Sequence, residues 1–468
     1  MVRTSEVFTP AKLPTITSVD RTAVTEALGR VLPRGGNFVS VLGTTKLGKT
    51  TLVRKSLDAV DLSIYVPGQT LQAGPADLWQ KCASELGIPT SVEASISSTD
   101  VSTWGLLGQV TAKIPGLAAK VGSTIGGQHG KTSSSGTKIQ IDPERAVTAS
   151  LTTVEAPGVH VVVAIDDFHF ISDQKTRKDI LLALRPLADQ GCTVVLISTP
   201  PSADDPAFSG TNLGGRRKTV EVPRWSETDL ARIATVGFAA LNVTASPLIV
   251  ERLARESFGS PQIMQELCLN LCEDVNGVRG EQVLRIALQE PSSWEDFFRL
   301  LYDDDAAAWL RTLGFGMTAR RPRKKKRLPG QDIEIDGYQA ILLALRDLNE
   351  PSVAFSKVKQ KVGTMLELDT KALNKMNLEL KAQNMDILAS RDMKNALEAA
   401  RGDALDLVAG EAEEDEPEFT AEAIRLAQEI PQPVFAATGE RKLFKIEILD
   451  PLLSYTLRWH SEVFLSDR

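Results

Sequence analysis

Asn37 to Val60 reads N-F-V-S-V-L-G-T-T-K-L-G-K-T-T-L-V-R-K-S-L-D-A-V, and the rest of the chain takes its place around this stretch. Phe38 to Leu42 is a short apolar run rich in β-branched residues, the composition of a buried strand. Gly43-Thr44-Thr45-Lys46-Leu47-Gly48-Lys49-Thr50 matches G-x-x-x-x-G-K-[ST] at every fixed position. Leu52, Val53, Leu57 and Val60 then recur at helical spacing, so the loop joins a strand to a helix. These residue types suit a polyphosphate. Gly43 and Gly48 permit a tight turn whose backbone N–H groups face inward, with no Cβ in the way. The helix that follows aims its free N–H groups and positive dipole end at the same place. Lys49 offers a point charge to the β- and γ-phosphates, the Thr50 hydroxyl is a ligand for Mg²⁺, and Thr51 is close enough to reach the α-phosphate.

A bound metal-nucleotide also needs a carboxylate at the end of a strand adjacent to the phosphate loop. V-H-V-V-V-A-I-D-D, Val159 to Asp167, supplies one. Asp166 is expected to hold Mg²⁺ through water, and Asp167 to orient the attacking water. Ser198 or Thr199, at the tip of the next strand, is placed to hydrogen-bond the γ-phosphate or its water. His169 either senses the nucleotide or packs on the sheet edge. Arg216 and Arg217 follow a glycine-rich loop and precede a strand, which suits an arginine finger offered to a neighbouring subunit or a solvated basic turn.

Composition narrows the class. At 468 residues two or three domains are expected. A hydrophobic content of 42% with 24% charged residues is that of a globular protein. The net charge of −7 excludes a surface that is basic throughout, so any nucleic-acid contact must use a local patch. Cys82, Cys192, Cys268 and Cys272 make no disulfide framework and suit a reducing compartment. Cys268 and Cys272 stand one helical turn apart with no partner at metal spacing, which favours a buried apolar face over a zinc site. There is no basic-then-apolar signal pattern. The most membrane-like stretch, Trp104 to Ile125, is interrupted by glycines, Lys113, Pro115 and Lys120. A cytoplasmic protein without membrane contact is expected.

Taken in order, Phe8-Thr9-Pro10 opens an extended arm, and Asp20 is a plausible N-cap for a helix carrying Val24, Leu28, Val31 and Leu32. Leu62 to Val66 is a second strand, and Pro75 to Gly87 an amphipathic helix. The Ser-, Gly- and Thr-rich region of about 91–140 is an insertion, either a partner-contacting surface or a floppy excursion, with His129 solvated rather than catalytic. Asp142-Pro143-Glu144 starts a helix. Thr193 to Ile197 and Thr219 to Val222 are further strands, so residues 1–225 alternate β and α in an α/β, doubly wound P-loop arrangement.

Residues 226–290 turn helical, with Ser226-Glu227-Thr228-Asp229 a capping box and Ser246-Pro247 and Ser260-Pro261 each a cap before a first-turn proline. This is a helical lid. A linker over 291–335 carries R-R-P-R-K-K-K-R at Arg320 to Arg327. Over 336–468, Tyr338 to Leu348, Phe355 to Val362 and Thr370 to Gln383 are expected to be three helices. An acidic insertion around Glu411 separates them from a hairpin at Val434 to Ile448 and a last helix with Leu452, Leu453, Leu457 and Trp459. That is a winged-helix outline.

The assembled set resembles the AAA+/STAND class of P-loop ATPases, and within it the origin-recognition-like and archaeal-type ATPases with a C-terminal winged helix. T-S-V-D-R at 17–21 is similar to the family's adenine-side segment, which points to Val19 and Arg21. The loop at 43–50, I-D-D-F-H-F-I at 165–171, V-P-R-W-S-E-T-D-L at 222–230, S-F-G-S-P-Q at 257–262 and I-L-D-P-L-L-S-Y-T-L-R-W at 448–459 match as well. Two departures stand out. Gln262 occupies the position where the family's lid often presents an arginine, and Asp167 stands where many such ATPases carry Glu.

What the resemblance implies is ATP rather than GTP, with Mg²⁺, slow hydrolysis and nucleotide-controlled self-association into a homo-oligomer. No GTPase N-K-x-D is evident. The leading expectation is a switch ATPase signalling to a separate effector protein, as in bacterial antiviral defence. The alternative is an origin-recognition-like initiator or loader that binds DNA through the winged helix and the run at 320–327.

Overall fold

The computed structural model describes residues 1–88, 91–94, 137–140, 142–154, 159–171, 173–199, 208, 210–317, 323–389, 434–439 and 444–465. Most of the expected insertion, with His129, the acidic run around Glu411, and Arg320 to Pro322 lie outside the described residues. The chain divides into two compact units. One comprises Asp20–Gly43 and Gly48–Val222; the other comprises Met1–Val19, Thr44–Leu47 and Pro223–Arg468.

The first unit is built on a parallel sheet of five strands: β1 (Phe38–Leu42), β2 (Leu62–Pro67), β3 (Val161–Asp166), β4 (Thr193–Ser198) and β5 (Arg217–Glu221). Every residue of β1, β3 and β4 is buried, as their largely apolar composition suits strands covered on both faces. Helices α1 (Thr22–Val31), α2 (Lys49–Leu57), α3 (Pro75–Leu86), α4 (Pro143–Val154) and α5 (Gln174–Asp189) complete it. Leu78, Cys82 and Leu86 of α3 and Ile180, Leu184 and Leu187 of α5 meet Ile64, Val66, Ile165 and Val194 in one core. Ser91–Ala94 and Thr137–Gln140, at the two ends of the expected insertion, pair antiparallel.

The strand order is β2-β3-β4-β1-β5. β4 lies between the phosphate-loop strand and the strand that carries the acids: Leu42 is level with Ser198, and Ile165 with Leu196. The acids at the end of β3 nonetheless reach the phosphate loop, as expected, through the Thr50 hydroxyl. Crossover helices let any two parallel strands be neighbours, so sequence order does not dictate sheet order. The N-cap of α1 is corrected. Arg21, at φ −100° and ψ 72°, is the last residue before the helix, which starts one residue too late for Asp20 to cap it.

In the second unit, α6 (Glu227–Ala240), α7 (Pro247–Arg255) and α8 (Pro261–Asn270) each have a serine cap, although the capping box expected at Ser226 forms only its first half, the Asp229 carboxylate accepting the Ser226 hydroxyl. The side chains of Ser226, Ser246 and Ser260 accept the N–H groups of Asp229, Ile249 and Ile263. Cys268 and Cys272 are buried in the apolar core, as expected of a buried apolar face. The N-terminal arm carries a short helix, Thr4–Val7, and Phe8 is fully buried edge-on to Phe238 at 5.6 Å.

After α9 (Asp304–Phe315) come α10 (Gly337–Leu348), β6 (Ser352–Ala354), α11 (Phe355–Met365), α12 (Thr370–Asn374) and α13 (Leu378–Leu388). Then β7 (Phe435–Thr438) and β8 (Lys445–Ile448) form the hairpin, and α14 (Pro451–Trp459) closes the chain's packed part. The antiparallel sheet runs β6-β8-β7. This is the expected winged-helix outline, with one correction. The single helix expected over Thr370 to Gln383 is broken in two, because Asn377 turns left-handed at φ 47° between the buried Met376 and Leu378. The winged and helical parts share a core: Phe298 stacks on Trp459 at 4.7 Å, and the Tyr455 hydroxyl donates to the Phe298 carbonyl at 2.6 Å.

Three further contacts of this unit involve residues of the glycine-rich segment. Lys46 Nζ pairs with Asp450 at 3.2 Å, the Trp225 indole donates to the Leu47 carbonyl at 3.0 Å, and Ser260 Oγ donates to the Lys46 carbonyl at 3.3 Å. The basic run splits in function. Arg323 turns inward to Asp336 at 2.9 Å and to the Phe315 and Met317 carbonyls, whereas Lys324, Lys325 and Lys326 are exposed.

Candidate nucleotide site

Left-handed backbone in the 43–50 loop falls at Lys46 (φ 58°) and Gly48 (φ 78°). Of the two glycines expected to keep a Cβ out of the turn, only Gly48 is left-handed. Gly48 is the N-cap of α2, and its position demands glycine for conformation rather than space, since a Cβ there would touch nothing within 4 Å. Its helix begins with Lys49 and Thr50. Lys49 is buried, and its ammonium donates to the Gly43 carbonyl at 2.8 Å, folded back across the mouth of the loop. Thr51 follows on the first turn of α2, half-buried.

The acids arrive from β3. Asp166 is its last residue and is buried; Asp167 is in the left-handed region at φ 49°. The Thr50 hydroxyl donates to the Asp166 carboxylate, 2.9 Å from Oδ2 and 3.1 Å from Oδ1. A strand end and a helix start that are 116 residues apart thus meet at one carboxylate. The fold is that of a P-loop NTPase.

The P-loop pocket suits a hard divalent cation. Its donors are a threonine hydroxyl and a carboxylate, the oxygen set that Mg²⁺ prefers. Among the described residues no cluster of three or more His, Cys, Asp or Glu is placed to hold a metal. The residues that would hold such an ion are Thr50 and Asp166, together with the nucleotide's own phosphates. Burial first, and then the neighbouring charge of Asp166, push the Asp167 carboxyl up to about 6.

Ser198 ends β4 level with Leu42, beside the start of the P-loop, and its hydroxyl is buried with no hydrogen-bond partner among the described residues. Thr199 turns elsewhere, its hydroxyl 3.5 Å from His169 Nε2. His169 is buried, packs against Phe170 at 4.8 Å and stands 4.0 Å from Asp167, so it supports the acidic turn from behind. Arg216 and Arg217 lie at the other end of the sheet. Arg217 is level with Phe38, the first residue of β1, whereas the P-loop follows its last. Arg216 pairs with Asp189, and the Arg217 guanidinium covers the Phe208 ring at 4.1 Å. Val19 ends a segment of the second unit, and Arg21 precedes α1 in the first.

Two residues of the site were missed in the sequence. Tyr65 of β2 donates its hydroxyl to Asp166 Oδ2. Its signal is the alternation L-S-I-Y-V, which sets Tyr65 on the face opposite Leu62, Ile64 and Val66. Gly68, just past β2, has no sequence signal. A Cβ there would stand 2.6 Å from the Asp167 carbonyl oxygen and 2.8 Å from that of Asp166. Gly68→Ala is accordingly expected to push the acidic turn outward and to destabilise this unit by about 1–3 kcal/mol, as overpacking does. A shifted denaturation midpoint with an unchanged slope is the measurement that checks it.

No known protein-family profile matches the chain, and no curated protein matches it. Solved structures similar to it include a Walker-type ATPase of Pyrococcus abyssi, at 12% identity over 94% of this chain and 96% of that one, TM-score 0.46. Cdc6p from Pyrobaculum aerophilum is 12% identical over 99% and 100% of the two chains, TM-score 0.38. The Aeropyrum pernix ORC1 protein, solved in complex with DNA, is 13% identical over 91% and 96%, TM-score 0.40. These are likenesses of fold at low identity, and the site is read from the residues of this chain.

Proposed function

We propose that the chain binds ATP with Mg²⁺ at the P-loop, hydrolyses it slowly, and uses its nucleotide state to control self-association. The observation that carries this reading is the 2.9 Å hydrogen bond from Thr50 to the buried Asp166, formed beside a buried Lys49. In it, Lys49 exchanges the Gly43 carbonyl for phosphate oxygens, a charge-assisted contact stronger than the one it leaves. Thr50 and Asp166 hold the cation, which neutralises charge on the phosphates. Asp167, with its carboxyl near neutrality, takes the proton of the attacking water. The Ser198 hydroxyl is placed to meet that water or the terminal phosphate.

Arg216 and Arg217 do not serve the P-loop of their own chain, being at the far end of its sheet. Arg216, whose side chain is 45% exposed, is the group a second copy is proposed to receive. Size-exclusion with light scattering tests the self-association: ATP and Mg²⁺ are expected to enlarge the wild type and to leave Lys49→Ala unchanged. A wild type that stays monomeric with ATP would remove it.

DNA binding is the second reading. The exposed lysines Lys324 to Lys326, with Lys371 and Lys375 on and just after α12, favour it. Filter binding of duplex DNA over a salt series decides it, and no retention at low salt excludes it. A link to an effector in antiviral defence rests on sequence resemblance alone. No helix of the described residues is long and apolar enough to cross a membrane.

A further inference from the structure

Asp166 accepts more than the Thr50 hydroxyl. Its Oδ1 takes the backbone N–H of Asp167 at 3.0 Å, and its Oδ2 takes the Tyr65 hydroxyl. Tyr65 belongs to the sheet's edge strand, level with Ala164, so its side chain must run two residues along β3 to reach Asp166 on the same face. What holds it in that direction comes from a third element. Arg54 of α2 lays its guanidinium over the Tyr65 ring at 4.3 Å. Arg54 stands one turn and a half along the helix that begins with Lys49 and Thr50. The P-loop helix, the edge strand and the acidic strand are thereby tied together at one carboxylate.

We propose that Tyr65, steadied by Arg54, is a positioning residue that sets the orientation of Asp166 for the divalent cation. The inference rests on the nucleotide-binding reading above and adds a determinant of its metal dependence. The physical basis is general. A ligating carboxylate with two free rotations is poorly preorganised, and a donor on its outer oxygen fixes the plane in which the other lone pairs point. Thr50 bridges both oxygens at 2.9 and 3.1 Å and the Asp167 N–H holds Oδ1, so without Tyr65 the outer oxygen, Oδ2, has no donor of its own among the described residues to stop the carboxylate rocking. The Tyr65 hydroxyl removes the rocking.

The test is calorimetric titration of ATP into the full chain at stepped Mg²⁺, including a chelated sample without the ion. Tyr65→Phe keeps the ring beneath Arg54 and removes only the donor. It is expected to leave affinity in chelator unchanged and to raise the half-saturating Mg²⁺ concentration by about tenfold, the usual scale for losing a partner of a metal-ligating carboxylate. Arg54→Ala, which keeps the hydroxyl but frees the ring, is expected to shift it in the same direction by less. Should Tyr65→Phe melt early, Arg54→Ala carries the test.

Equal Mg²⁺ dependence in wild type and both variants overturns the assignment while leaving ATP binding intact. So does an equal loss of affinity with and without the ion, which marks a role in folding only. A wild type that shows no Mg²⁺-dependent ATP binding overturns the nucleotide reading itself.

Discussion

Lys49→Ala abolishes measurable ATP binding: calorimetry is expected to show at least about a hundredfold weaker affinity, the scale of removing a buried, charge-assisted contact. The size of the effect follows from where the ammonium already is. It is buried and turned onto the Gly43 carbonyl, whereas the loop's other ammonium, that of Lys46, is paired with Asp450. Backbone N–H groups are dipolar, whereas Lys49 brings a full charge to the hydrogen bond it makes. Alanine deletes that charge without touching Gly48, whose left-handed φ of 78° shapes the turn. Thermal unfolding of the unliganded variant therefore stays near that of the wild type. Retained binding with wild-type affinity would mean that the phosphates lie elsewhere.

The second large effect belongs to Asp167. Asp167→Asn is expected to lower the hydrolysis rate by about 10²–10⁴, the range for losing a general base, while ATP affinity is kept. The pH profile gives the sign. The carboxyl titrates near about 6, raised chiefly by burial and next by Asp166. The base is competent only when deprotonated, so wild-type hydrolysis rises with pH through about 6 and levels above it. At one pH unit below that value the rate falls about tenfold, whereas affinity for ATP does not follow. Asp167→Asn loses this acid limb. A wild-type profile flat from pH 5 to 8, roughly the span over which such a base titrates, would assign the proton to another group.

Much of this was legible in the chain itself, because some signals are local. A tight turn into a helix with a lysine and a threonine at its start has few sequence solutions, so Gly43 to Thr50 could be recognised without a structure. Buried parallel strands leave largely apolar runs, which marked β1, β3 and β4 together with the acids at the end of β3. Serine caps before helices are equally local, and Ser226, Ser246 and Ser260 each cap a helix. Arg216 and Arg217 show the opposite limit: two arginines before a strand say nothing of which end of the sheet they occupy.

By itself the sequence determined a strand–loop–helix that can hold a polyphosphate, an acid pair that ends a buried strand, and a winged-helix outline further on. Only the tertiary structure decided that β4 lies between β1 and the strand that carries the acids, and that Tyr65 and Gly68 meet Asp166 and Asp167. It also decided that Asn377 breaks a helix and that Arg323 turns inward from the basic run. The reason is one of range. Caps, turns and periodicity are fixed by neighbours a few residues away. Strand order and cross-strand contacts are set by which buried faces fit together, and those faces come from segments about a hundred residues apart.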